Sequence, residues 1–288
     1  MRGIERYNPI AVTVYFLTVT IPAMLCMDPV LIACSFAGAM LLYVMVNSTS
    51  GLKMHVYALL LFAFMALMNP LISHKGATVL FVLNDNPVTL EAFWYGLTAA
   101  GMILSVMYWF RLYTQMMTSD KLLYVFGGIS PKSALMLSMT LRYVPMFVQQ
   151  TKKVSQAQKA MGLYREDNII DSIKGGLRVF SVMVTWTLEN GIITADSMTA
   201  RGYGTGKRSR FSLFSWRTED VMLIFASLLL LSVTLYGKRT VVFYPWLELE
   251  ACSLRVMMGY IAYALLVITP TMIEGKEKIK WHWLTSRI

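Results

Sequence analysis

Six long runs without an acidic or basic residue constrain the fold of this chain more than any other feature. They cover residues 10–27, 29–52, 56–73, 92–110, 221–237 and 256–273. At a rise of about 1.5 Å per residue, some 18 helical residues nearly cross the roughly 30 Å hydrocarbon core of a bilayer. Only 15% of the residues are charged, against about 25% in soluble domains. The sequence therefore predicts an all-α integral membrane protein with about six transmembrane helices.

The distribution of Lys and Arg predicts the orientation in the membrane. These residues accumulate in cytoplasmic loops and near the cytoplasmic ends of spans. If the N-terminus lies inside, fourteen basic residues of this kind are cytoplasmic and four are external. We therefore expect both termini in the cytoplasm. The net charge of +10 follows largely from this bias, so it does not require a nucleic-acid partner.

The spacing of the apolar runs predicts three segments. Residues 1–112 hold the first four transmembrane helices, and residues 218–288 hold the last two with a basic cytoplasmic tail. Between them, 113–217 is too long for a structureless loop, and its apolar pattern is helical. We expect this middle segment to form two long cytoplasmic helices.

The first of these helices has clear start and stop signals. Ser130 is suited to the N-cap and Pro131 to the first helical position, while Gly162 is typical of a helix C-terminus. Pro145, half-way along, is expected to kink the helix.

The second helix is expected from about 168 to 200. Its apolar residues recur at helical spacing, at Ile169, Ile173, Leu177, Phe180 and Val184. Asp167 or Asn168 is a candidate N-cap, and Gly202 and Gly204 follow the end. Each long helix thus closes on a short turn, Ala160-Met161-Gly162 in the first and Ala200-Arg201-Gly202 in the second.

The glycine-rich stretch after the second helix raises the possibility of a nucleotide site, which its residues argue against. A Walker A loop ending at Gly206-Lys207 needs glycine at position 201 and a hydroxyl residue at position 208, and both positions hold arginine. The stretch also follows a helix rather than a strand. The three cysteines and three histidines show no metal-type spacing. We expect no cofactor, metal ion or catalytic residue in this chain.

Three motifs carry a resemblance to a known family. They are "LSMTLRYVP" (137–145), "SQAQKAMG" (155–162) and "ADSMTARGYGTGKRSRF" (195–211). Together they resemble the transmembrane T component of energy-coupling factor transporters, which import vitamins or cobalt and nickel ions across the prokaryotic cell membrane.

The resemblance implies a scaffold that is not itself an enzyme. In that family two coupling helices each end in an Ala-Arg-Gly signature, which docks on one of two ABC-type ATPase subunits. ATP and Mg²⁺ bind to those subunits, and a membrane-embedded S component binds the substrate. By resemblance, Ala200, Arg201 and Gly202 form the second ATPase-coupling signature, and Ala160, Met161 and Gly162 hold the place of the first.

One signature departs from the family pattern, because Met161 stands where the family has arginine. Either the contact at this site is apolar, or a neighbouring cation, Lys159 or Arg165, supplies the charge. Further support is expected from Arg142, as a pairing or snorkelling residue that orients the kink at Pro145. The basic residues Lys207, Arg208 and Arg210 are most simply membrane anchors.

Two other classes of protein remain as alternatives. A self-sufficient secondary transporter needs ionisable residues along a path through its spans, and the six charge-free runs argue against one. An integral-membrane enzyme needs a cluster of acids, histidines or nucleophiles at one face, and the middle segment shows no such set.

Overall fold

The computed structural model describes residues 3–47, 52–73, 75–83, 86–162, 169–206 and 214–285. Within these ranges the helices are α1 (Pro9–Leu25), α2 (Pro29–Asn47), α3 (Leu52–Ile72), α4 (Leu90–Met116), α5 (Ser119–Ile129), α6 (Pro131–Ala160), α7 (Ile169–Ala200), α8 (Thr218–Tyr236) and α9 (Leu254–Thr285). Two small antiparallel hairpins pair β1 (Val79–Leu83) with β2 (Asn86–Thr89), and β3 (Val241–Val242) with β4 (Glu248–Leu249).

The contacts of the chain divide it into two units. The first, here called the membrane unit, comprises Met1–Lys121 and Phe214–Ile288, and the second, the helical unit, comprises Leu122–Leu213. The assignment of the helical unit to the cytoplasm stays a prediction.

Five helices of the membrane unit, α2, α3, α4, α8 and α9, are long and apolar enough to cross a bilayer. The remaining predicted span, α1, is an apolar helix of 17 residues, at the lower end of the length that a span needs. The predicted all-α membrane fold is therefore confirmed. A crossing by α1 and the side on which the termini lie stay predictions.

Two spans continue as helices well past their apolar runs. α4 passes Phe110 and Arg111 to end at Met116, and α9 carries Lys276, Lys278 and Lys280 on its last turns. The end of an apolar run marks where the chain leaves the hydrocarbon of the bilayer, but the helix can continue beyond that point because its backbone hydrogen bonds do not depend on the solvent. Long basic side chains on such an extension reach water from the helix surface.

The centre of the membrane unit is a packed apolar core with a few hydrogen-bonded aromatic side chains. α4 packs against α2 and α3, and α8 packs against α1 and α9. The Tyr15 hydroxyl donates to the Leu266 carbonyl over 2.7 Å, and the Tyr263 hydroxyl donates to the Val19 carbonyl over 3.1 Å. These bonds join α1 to α9 and satisfy hydroxyls that lie where no water is available.

Glycine allows α8 and α9 to approach closely where they meet. Gly237 follows the last turn of α8 and faces Gly259 of α9. A Cβ atom added to Gly259 would lie 2.9 Å from the Gly237 Cα atom, a distance that side-chain rotation does not relieve. The two backbones therefore touch directly, as small residues permit between membrane helices.

The helical unit is built mainly from α6 and α7, both of which were predicted. Ser130 caps α6 by accepting the Ser133 amide over 3.4 Å, and Pro131 is the first helical residue, as expected. The two helices run antiparallel, because Tyr143 meets Thr194 through a 2.6 Å hydrogen bond whereas Phe147 packs edge-on against Trp186. The short helix α5, which precedes α6, was not predicted.

Candidate functional site

The end of α7 is a complete glycine cap. Gly202 adopts φ +77°, a left-handed conformation that favours glycine. Its amide donates to the Thr199 carbonyl over 2.9 Å, and the Tyr203 amide donates to the Met198 carbonyl over 3.0 Å. This pair of bonds is the Schellman motif. It ends the helix sharply and holds Arg201 at the C-cap position.

The end of α6 repeats this geometry. Met161 is the C-cap residue, and Gly162 follows it with φ +70°. The Gly162 amide donates to the Lys159 carbonyl over 3.0 Å, the counterpart of the bond from Gly202 to Thr199. Met161 and Arg201 therefore hold structurally equivalent positions, each directly before a left-handed glycine.

Both caps present their side chains to the surroundings. Met161 is 64% exposed, and Arg201 is also exposed, with small residues on either side. Among the described residues, the Arg201 guanidinium makes no hydrogen bond or ion pair. Arginine offers five donors in a planar fork, a geometry suited to a carboxylate or to carbonyl oxygens of another protein.

The two caps lie at opposite ends of the helical unit. This follows from the antiparallel packing of α6 and α7, since each cap stands at the C-terminus of its own helix. A helix of about 30 residues is roughly 45 Å long. One partner molecule bound at the α6 cap is therefore well separated from one bound at the α7 cap.

α7 also carries an apolar surface that the described part of the chain leaves largely uncovered. This α7 stripe consists of Ile173, Leu177, Phe180, Val184, Leu188 and Ile192. Its members are 41% to 66% exposed although they recur at helical spacing. Part of the stripe borders a groove of about 570 Å³ between α6 and α7. Apolar patches of this extent mark a protein or membrane contact.

Comparison with known protein families bears on this pair of capped helices. The model of the cobalt transport protein family, CbiQ, matches residues 6–213, which include α1 to α7 and both caps. The chain belongs to this family.

Individual members with assigned names are similar over shorter stretches. An energy-coupling factor transporter transmembrane protein EcfT from Listeria innocua is 37% identical over 109 residues, which is 37% of this chain and 41% of that protein. An EcfT from Streptococcus equi is 34% identical over 92 residues, covering 31% of this chain and 34% of the relative. Each alignment thus spans less than half of the relative's length.

Within this CbiQ family member, the six predicted signature residues form the two equivalent caps. Of the expected supporting residues, Lys159 is exposed in the last turn of α6, and Arg142 and Pro145 are exposed near its middle. α6 continues as a helix through Pro145. Arg165 lies outside the described residues, as do the basic residues after α7, Lys207, Arg208 and Arg210. A role for any of these residues in docking stays a prediction.

The sequence interpretation missed four buried acids in the membrane unit. Asp220 accepts the amides of Asn8 and Arg217, each over 2.8 Å, and Glu274 accepts the Gly3 amide over 2.9 Å. Asp28 accepts the Val30 amide over 3.1 Å and the Tyr260 hydroxyl, and Glu91 accepts the Thr78 hydroxyl over 2.7 Å. Each acid accepts hydrogen bonds from backbone amides or hydroxyls, which is a structural role.

In the ranges that the structure describes, no group of three or more His, Cys, Asp and Glu side chains is placed to hold a metal ion. The features that stand out are two matched helix caps and one exposed apolar stripe.

Proposed function

We propose that this chain is the transmembrane scaffold of an energy-coupling factor importer. In this proposal it couples ATP hydrolysis on two partner ABC-type ATPase subunits to a substrate-binding S component in the membrane of a prokaryotic cell. The chain itself binds no nucleotide, since ATP and Mg²⁺ belong to the ATPases. The imported substrate, a vitamin or a transition-metal ion, is selected by the S component.

The observation that carries the proposal is the equivalence of the two caps. Two helices of similar length end in the same glycine geometry at opposite ends of one unit, with Met161 and Arg201 in matching exposed positions. This arrangement suits two partners of the same kind, one at each cap. A movement of the partners toward each other would act on both helices at once.

The α7 stripe provides a different kind of surface. Its side chains are apolar and exposed along about five turns, whereas a cap offers a single side chain on a narrow helix end. We assign the caps to the ATPases and the stripe to the membrane-embedded S component, because an apolar surface matches a hydrophobic membrane protein.

The proposal is tested by reversing the character of each cap in turn. Truncation of a buried arginine anchor at an interface typically costs about 2 kcal/mol or more, which is roughly 30-fold in affinity. We expect Arg201→Glu to reduce the ATPase that co-purifies with the tagged chain by at least that factor. Met161→Glu should reduce it less, because the native contact there is not an arginine.

Lys174→Glu is the matched control for Arg201→Glu, since it reverses an exposed charge on the same helix about 40 Å from the α7 cap. Its ATPase yield should equal that of the wild type. If Arg201→Glu, Met161→Glu and Lys174→Glu all retain wild-type amounts of ATPase, the caps do not dock the partners and the proposal is wrong.

A further inference from the structure

The membrane unit contains a cavity of about 550 Å³ between α2, α3 and α4. α4 lines it from Trp94 to Tyr108, about 21 Å along the helix axis. All of its lining side chains are apolar except those of Thr98, His55 and Tyr108. The Thr98 hydroxyl is bonded within its own helix, to the Tyr95 carbonyl over 2.9 Å. The cavity is therefore an elongated apolar space inside the spanning region.

One end of the cavity is polar. There the His55 Nδ1 atom and the Tyr108 hydroxyl lie 2.8 Å apart and share a hydrogen bond. The Tyr43 ring packs edge-on against His55, with the ring centroids 5.4 Å apart. In the described part of the chain the second ring nitrogen of His55 has no hydrogen-bond partner. An ionisable side chain in a span usually marks a functional site.

The same end of the cavity carries positive charge. Arg111 lies one turn beyond Tyr108, and it continues the face of α4 formed by Leu104 and Tyr108. Its side chain is exposed, and its guanidinium makes no hydrogen bond or ion pair to a described residue. Lys53, also exposed, lies in the first turn of α3 at this end of the spans.

The opposite end of the cavity carries charges of both signs, since the exposed Lys75 follows α3 there and the buried acid Glu91 lies one turn before Trp94. Its lining there comes from Pro29 and Trp94, and a second buried acid, Asp28, directly precedes Pro29. No acid lies within eight residues of Arg111 or Lys53 in the sequence, so only their end of the cavity is purely cationic. The cavity thus has the polarity of an amphiphile, with a long apolar body, a hydrogen-bonding end and a cationic rim.

We propose that this cavity binds one acyl chain of an anionic phospholipid. The chain occupies the apolar space along α4, and the headgroup phosphate lies at the rim with Arg111 and Lys53. Arginine binds phosphate oxygens in a bidentate manner, and basic residues beside a span attract anionic lipids. Charge complementarity selects this occupant, because an apolar helix of a partner protein would leave Arg111 without a counter-charge.

A cavity-filling substitution tests the site. Ala33 lines the cavity from an exposed position on α2, so Ala33→Phe fills the space without entering the packed core. Ala37, one turn further, is exposed and does not line the cavity, so Ala37→Phe is the matched control. The purified full chain is titrated in detergent with dioleoyl phosphatidylglycerol or dioleoyl phosphatidylcholine, and bound lipid is counted by native mass spectrometry.

We expect the wild type and Ala37→Phe to retain one molecule of phosphatidylglycerol and Ala33→Phe to lose it. Arg111→Gln should weaken phosphatidylglycerol binding by about fivefold, the effect of one basic residue near an anionic surface, and should leave phosphatidylcholine binding unchanged. Lys238→Gln removes an exposed charge in the turn after α8 and should have no effect.

Equal retention by Ala33→Phe and Ala37→Phe would overturn the proposal, as would equal affinity of the wild type for the two lipids. Loss of a co-purifying membrane protein from Ala33→Phe, with lipid binding intact, would instead assign the cavity to a partner helix. Neither result bears on ATPase docking at the caps, since the site lies in the membrane unit.

Discussion

The same substitution, glycine to alanine, should have opposite effects inside α7 and at the cap that follows it. At Gly202 the backbone has φ +77°, where an L-residue costs about 1–2 kcal/mol, and the new Cβ atom would lie 3.3 Å from the Thr205 hydroxyl oxygen. Gly202→Ala should therefore weaken the cap and release Arg201 from its fixed position.

Gly191 is the internal comparison. It lies in the interior of α7, is exposed, and offers open space for a Cβ atom. Alanine there should stabilise the helix by about 0.5–1 kcal/mol, because glycine loses more conformational freedom on folding.

Hydrogen exchange followed by mass spectrometry measures both effects as local opening of the backbone. In Gly202→Ala, the amides of Arg201 and Tyr203 should exchange about 5- to 30-fold faster, the factor that corresponds to 1–2 kcal/mol. In Gly191→Ala, amides around the substitution should exchange about two- to fivefold more slowly. If exchange at the cap is unchanged in Gly202→Ala, the left-handed glycine does not hold the end of α7 and the reasoning about the cap is refuted.

Two further predictions concern the stability of the membrane unit. Gly259→Ala should destabilise the purified chain by about 1–3 kcal/mol through overpacking, because its Cβ atom would meet the Gly237 backbone at 2.9 Å. The thermal midpoint should therefore fall, whereas Gly275→Ala in the same helix should leave it unchanged; equal midpoints would contradict direct backbone contact. Asp220→Asn should cost about 1–3 kcal/mol in the same assay, because the two carboxylate oxygens each accept a backbone amide and asparagine keeps only one of these acceptors. Glu219→Gln, which changes an exposed neighbour, should have no effect. An unshifted midpoint for Asp220→Asn would show that those bonds contribute little to stability.

The features that the sequence predicted are those that depend on neighbouring residues. Local patterns predict each of them: runs of apolar residues give the span positions, the residue type gives Ser130 as an N-cap, and the backbone freedom of glycine gives the ends of α6 and α7. The equivalence of Met161 and Arg201 could also be predicted from the sequence, because each residue directly precedes a glycine at a helix end.

The features that the sequence did not predict depend on distant contacts. Asp220 binds the amide of Asn8, 212 positions away, and Glu274 binds that of Gly3, 271 positions away. No spacing rule links such residues, so their carboxylates could not be assigned to backbone amides in advance. The hairpins, by contrast, are local, but they carry too little pattern to be predicted, since β3 and β4 contain two residues each.

The exposed stripe shows a third limit. Helical spacing from Ile173 to Val184 predicted an apolar face of α7, but the same spacing arises in a helix that packs within its own chain. Only the structure shows that this face, continued by Leu188 and Ile192, is left largely uncovered by the described residues.

The most direct test of the scaffold function is to identify what the chain binds in its native membrane. The tagged full-length chain is purified in mild detergent, and the co-purifying proteins are identified by mass spectrometry. We predict one or two kinds of ABC ATPase together with a small hydrophobic membrane protein. If the chain purifies alone with intact yield, and transports a solute after reconstitution by itself, it is a self-sufficient transporter and not a coupling scaffold.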